Sequence, residues 1–178
     1  MIRRRNKKDF INRGEVKMNI TEVITGRRTI KKFTQREIDN TKIVEWLQHA
    51  KFAPNHKMTE PWEILFIGEK TRAELKHKTN FGGASKVLAI LSHKGRNQIE
   101  RDENLSAVSC FIQNFMLQAW DEGVGTFWSS VGASTLGRST LGVSDEYEVV
   151  GVLAIGYPEE IMAPKERASI EDKITYLD

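Results

Sequence analysis

The run NLSAVSCFIQNFMLQAWDEGVGTFW, residues 104–128, decides the fold. No charged residue occurs from Asn104 to Trp120. Leu105, Val108, Phe111, Ile112, Phe115, Met116, Ala119 and Trp120 recur at helical spacing and form a wide apolar face. Ala107, Cys110 and Leu117 lie off that face, so little of the circumference is left for water. A helix apolar nearly all round is either enclosed by protein or spans a bilayer. Ser106, Ser109, Gln113, Asn114 and Gln118 interrupt the run, and charges at 101–103 and 121–122 bracket it, which argues against a bilayer. The reading is a helix too enclosed for the core of a lone 178-residue chain and buried against a second copy. Gly123-Val124-Gly125 stops it, and Thr126 to Ser130 continue as a strand or extended turn.

Upstream, Asn19 caps a short helix that ends near Gly26, and Asp39-Asn40-Thr41 cap a second through about Phe52, with Ile43, Trp46, Leu47 and Ala50 on one face. Pro54 breaks it. Residues 63–67 read as a buried strand, 71–78 as a surface helix, 80–83 as a mobile glycine loop and 87–91 as a second strand. Downstream, 134–141 suit a short helix and 149–156 the last core strand. Beyond Tyr157 the chain is charged and poor in apolar residues, the composition of an arm that lies over a neighbour.

The length suits one domain that buries roughly 70% of its unfolded surface. The lone Cys110, among apolar neighbours, reads as a small core residue, excludes an intrachain disulfide and fits a reducing cytoplasm. The net charge of +3 is concentrated at the start: Arg3, Arg4, Arg5, Lys7, Lys8, Arg13 and Lys17 face only Asp9 and Glu15. Residues 18–178 are therefore slightly acidic and lack the electrostatic footprint of a nucleic-acid binder. Residues 1–17 thus form a basic leader, disordered or not native; residues 13–18 also read as a translated ribosome-binding stretch with Met18 as the start. The leader has no apolar core of a secretory signal.

Several common sites are missing from the sequence. Gly123 to Trp128 lacks the third glycine of a dinucleotide fingerprint, and there is no Walker loop and no nucleophile elbow. His49, His56, His77 and His93 have no metal-ligand spacing. What remains is Arg27-Arg28-Thr29 with Lys31, cations and a hydroxyl in one turn, which suits a phosphate. Lys165 and Arg167 form a similar pair in the tail, Pro54-Asn55-His56 a rigid polar loop, and Trp128-Ser129-Ser130 an aromatic plane with hydroxyls. Each alone also reads as a solvated face, a connection or core.

Taken in order, Arg27-Arg28-Thr29-Ile30-Lys31-Lys32-Phe33, Ala53-Pro54-Asn55-His56 through Glu60-Pro61-Trp62, Gly123-Val124-Gly125-Thr126-Phe127-Trp128 and Ala154-Ile155-Gly156-Tyr157-Pro158 resemble the FMN-dependent nitroreductase family, in its compact NAD(P)H nitroreductase branch, over residues 18–178. The resemblance implies an α+β fold, a central, mostly antiparallel sheet flanked by helices, in an intertwined homodimer with FMN at two interface sites and a C-terminal arm on the partner. It implies that Arg27, Arg28, Thr29 and Lys31 hold the FMN phosphate and ribityl chain. Lys165 and Arg167 would reach the phosphate from the tail. Pro54, Asn55 and His56 would line one side of the flavin, and Trp128, Ser129 and Ser130 the other. Thr29 stands where serine is usual, Lys31 where arginine is frequent, and Glu60 where many members have glutamine. The implied activity is ping-pong hydride transfer from NADH or NADPH to a small nitroaromatic or quinone-like acceptor, with no required catalytic side chain, metal, nucleic acid or membrane. Two alternatives remain: a flavoenzyme of the same fold that dehalogenates, dehydrogenates or breaks down flavin, and a non-enzymatic dimer that binds an anion or nucleotide.

Overall fold

A computed structural model describes residues 19–177; the basic leader and Met18 lie outside them. Asn19 opens helix α1 (Ile20–Gly26) with a complete capping box, its side chain accepting from the Glu22 N–H. Asp39 caps α2 (Asn40–Ala50), which buries Ile43, Trp46 and Ala50. Strand β1 (Trp62–Phe66), the short helix α3 (Glu69–Glu74) and strand β2 (Lys86–His93) follow. Helix α4 (Gln98–Asp121) leads into β3 (Gly125–Ser129), α5 (Thr135–Leu141) and β4 (Tyr147–Gly156). The sheet runs β1-β2-β4-β3, and every pairing is antiparallel. β2 and β4 lie at its centre, which is why they carry unbroken apolar runs. This is the expected α+β arrangement.

Two cores follow from the pleat. Leu88, Ile90, Leu153 and Ile155 face α2 and α4, while Val87, Ala89, Leu91, Val152 and Ala154 face Phe33, Leu75 and Phe81. α4 starts at Gln98, six residues before the uncharged run, because Asn97 caps it by accepting from the Glu100 N–H. Its first turns are charged and solvated, so only the later part shows in the hydrophobic pattern.

The helix also differs from its reading as a rod closed off by a second copy. Val108, Phe111, Ile112, Phe115, Met116, Ala119 and Trp120 are buried within this one chain, with Trp46 meeting Phe115 edge-on at 6.1 Å and Trp62 stacked on Phe111 at 4.9 Å. Cys110 is exposed, a correction to its reading as core. It lies with exposed Ser106 on the side of the helix turned toward solvent, where Gln113, Asn114 and Leu117 are partly exposed.

Two other expectations change. The first strand is an edge strand, half-exposed rather than buried, and Phe66 stands in solvent. The glycine loop at 80–83 is a tight 3-10 turn closed around Phe81, which is 0% exposed and stacks on His77 at 4.3 Å. Gly82 there has φ +65, and a Cβ on it would collide with the Lys31 carbonyl. The close approach lets the Phe33 N–H donate to the Gly82 carbonyl and holds the segment after α1 across the ends of β3 and β4.

Glu122, just past α4, ties that helix to α2. It accepts from the Trp46 indole N–H at 2.8 Å and from Gln118 at 3.2 Å, and pairs with Lys42 at 2.7 Å. Burial pushes its carboxyl up, but the bonds from Lys42 and Trp46 outweigh this and leave it below the ordinary value. At the other end of α4, Arg101 holds Glu148 of β4 in a two-pronged pair and lowers its pKa. Both carboxylates therefore contribute stability that is complete above pH 4.5 and is lost as pH falls through their lowered folded-state values. Glu122→Ala leaves the buried Trp46 N–H without its acceptor and is expected to cost about 1–3 kcal/mol in urea unfolding at neutral pH. That penalty should shrink as the buffer is acidified below pH 4.5; a midpoint unchanged at pH 7 would show that the latch contributes nothing.

Candidate functional site

The cationic turn begins where α1 ends. Arg28 donates through Nη1 to the carbonyls of Thr25 at 2.7 Å and Arg27 at 2.8 Å, so part of its guanidinium closes the helix terminus. Thr29 then bridges to Thr126 of β3, and the Ile30 N–H donates to the Thr126 carbonyl at 3.0 Å. This fixes the turn against the start of β3, with Gly26 beside the Trp120 indole.

Arg27 is the odd group in this arrangement. Burial, then the charges of Arg28 and Arg167, push its guanidinium below its ordinary value. Its buried Nε has no hydrogen-bond partner, and neither has the Oγ1 of Thr126, which is 1% exposed. A partly buried guanidinium crowded by two more cations, with no hydrogen-bond partner at Nε among the described residues, is a site whose charge balance calls for an anion. Arg167 acts on Arg27 from the tail of the same chain; Lys165, two residues earlier, is exposed. Lys31 is engaged differently: its ammonium sits 3.3 Å from the centre of the Phe127 ring, on the opposite face of β3 from Thr126.

The other expected residues stand apart. Asn55 braces its own loop, donating to the Ala53 carbonyl and accepting from the Glu60 N–H at 3.0 Å. The loop is strained, with Lys57, Met58 and Glu60 in the left-handed region. His56 lines a groove of about 630 Å³ with Lys57, Glu60, Trp62, Arg96 and Glu100, against the first turns of α4. Pro54 is exposed. Arg27 lies beyond α1, which packs at the far end of α4 near Leu117 and Trp120. The separation along the helix axis is roughly 25 Å. One chain therefore does not bring Pro54, Asn55 and His56 to Arg27.

Trp128 is 38% exposed on the outer strand β3, its indole N–H donating to the Val150 carbonyl at 3.1 Å. Ser129 is almost buried and its Oγ accepts from the Val131 N–H, while Ser130 is exposed and begins the following turn. The sequence reading missed Thr126, Phe127 and His77. The first two lie inside the quoted run, where strand alternation shows opposite faces; nothing in the Lys-rich context of His77 signals that it packs against Phe81 and Phe127. Among the described residues no group of three or more His, Cys, Asp or Glu could hold a metal ion, and no helix is long and apolar enough to cross a membrane.

The four-stranded antiparallel sheet with a long central helix, and a cationic turn laid across its edge, define a class of α+β proteins also seen in sequence comparison. The nitroreductase family profile matches residues 24–79 and 68–157, so this chain belongs to the nitroreductase family. It is 28% identical to the Bacillus subtilis (strain 168) protein named “Putative NAD(P)H nitroreductase YfhC”, over 89% of this chain and 94% of that one. A nitroreductase-like family protein from Bacillus cereus superposes with a TM-score of 0.83 at 28% identity, covering 92% of this chain and 98% of that chain. A structure from Exiguobacterium sibiricum 255-15 named “putative nitroreductase in complex with FMN” has a TM-score of 0.79 at 21% identity, covering 92% and 99%, and shares the fold.

Proposed function

We propose that this protein is an FMN-dependent NAD(P)H oxidoreductase that works as a homodimer and reduces nitroaromatic or quinone-like acceptors by a ping-pong route. The observation that carries the reading is Arg27, a partly buried cation crowded by Arg28 and Arg167, with an unpartnered Nε, at the position where the family resemblance puts a phosphate. The Bacillus subtilis relative's name and the FMN-containing neighbour support the same direction.

FMN, when bound, supplies reversible acceptance and release of a hydride. The chain's part is binding and orientation. Arg27, Arg28 and Thr29 would hold the phosphate and ribityl chain, with Lys165 and Arg167 closing from the tail. Lys31 would hold the phosphate and ribityl chain with them, and positive charge at the site would favour the anionic reduced flavin. Trp128, Ser129 and Ser130 would line one side of the ring. Pro54, Asn55 and His56 would line the other side, and because they lie at the far end of α4 they would come from the second subunit. That requirement supports the dimer. So do the partly exposed α4 stripe and an arm whose Met162, Ile170, Ile174, Tyr176 and Leu177 are exposed on a single chain. NADH or NADPH and the acceptor would take turns in the same space, so no further catalytic side chain is assigned.

The purified full-length protein is expected to be yellow, to release FMN on denaturation, and to oxidise NADH or NADPH with a nitroaromatic, giving parallel double-reciprocal lines. A colourless protein that ignores added FMN would favour an anion-binding dimer. Flavin release without nicotinamide turnover would favour a flavoenzyme of another reaction.

A further inference from the structure

We propose that Phe127 is a positioning residue for the cofactor site: its ring seats the Lys31 ammonium in advance and so lowers the cost of flavin binding. This rests on the reading of Lys31 as one of the cations that hold FMN. The backbone on both sides of Lys31 is already fixed. Thr29 and Ile30 are joined to Thr126, the Phe33 N–H donates to Gly82, and the Lys31 carbonyl abuts Gly82 so closely that only glycine fits there. What remains free is the four-carbon side chain, and a free lysine loses rotamer entropy when it is pinned.

The structure pins it, with no carboxylate paired to it among the described residues. Nζ lies 3.3 Å above the Phe127 ring, within cation–π range. Phe127 is itself braced: the His77 ring meets it edge-on at 5.4 Å, and His77 stacks on the fully buried Phe81. Burial, then the charges of Lys31 and Arg72, push His77 down, which keeps that brace neutral beside Lys31. An aromatic seat differs from an acidic one in a way that matters for an anionic ligand. It holds the ammonium in place but leaves its charge uncompensated, so an incoming flavin does not compete with a carboxylate.

The test is a double-mutant cycle on apoprotein prepared from the full chain, with FMN affinity read by quenching of flavin fluorescence. Phe127→Leu is expected to weaken FMN binding roughly fivefold, and Phe127→Trp to restore it. Lys31→Ala should weaken it at least as much, and adding Phe127→Leu to Lys31→Ala should cause no further loss. Equal losses in both backgrounds, or no loss in Phe127→Leu while Lys31→Ala binds weakly, would overturn the positioning role alone. Unchanged affinity in Lys31→Ala would instead overturn the assignment of Lys31 to the cofactor, and the inference with it. Should circular dichroism show Phe127→Leu unfolded, the same comparison with Phe127→Met, whose flexible side chain fills gaps better, decides the matter.

Discussion

Phe115→Glu is expected to abolish the folded state of the single subunit and not merely to separate a dimer. Phe115 is 0% exposed within one chain, edge-on to Trp46 and sealed by α2 and the sheet. A carboxylate placed there would lose the ring's buried area and gain no partner, because Lys42 and Glu122 already neutralise each other nearby. The combined penalty, about 3–5 kcal/mol for the lost ring plus the cost of an unpaired buried charge, is comparable to the stability of a whole domain. Far-UV circular dichroism and a thermal melt check this; a cooperative melt near that of the parent would show that α4 is not packed as described.

Leu117→Glu is the informative counterpart. Leu117 lies on the partly open stripe beside Asn114, Gln118 and Asp121, where a new charge can reach water in a single chain. If α4 meets a second copy through that stripe, the variant should keep its melt at low concentration yet elute at half the mass, and should lose flavin because each site would draw on both subunits. An unchanged elution volume would place the contact elsewhere.

Arg27→Ala is expected to weaken FMN affinity by about 1.5–3 kcal/mol, the value of hydrogen bonds from a charged donor, which is roughly a tenfold to 150-fold loss. Its effect on the apoprotein should run the other way. Removing a guanidinium that is half-buried, repelled by Arg28 and Arg167 and unpartnered at Nε relieves an electrostatic cost, so the flavin-free melt should hold steady or rise. A role in packing would lower both quantities together. Flavin affinity equal to the parent's would remove the phosphate assignment.

The elements themselves were legible because each has a local signature. Asn19 and Asp39 read as capping residues, and each accepts a backbone N–H as expected. The apolar runs of β2 and β4 reflect their central places in the sheet. The order of the Arg27, Pro54, Gly123 and Ala154 segments sufficed for the family. The neighbours across space were not legible. Apolar periodicity says that a helix face leaves water but not what covers it, so the face of α4 could not be divided between its own sheet and a second copy. Cys110 was misread for the same reason: one residue's place on a helix depends on which side the packing partners occupy. Nor does the sequence show that Asn55 spends its side chain bracing its own loop, or that Lys31 rests on an aromatic ring rather than beside an acid. The sequence by itself determined the elements, the family and the residue types available to grip an anion, since these are set by local spacing and order. Only the tertiary structure decided which of those residues meet in one chain, because two groups on the same helix can be drawn into one pocket or held roughly 25 Å apart by nothing more than where along it they attach.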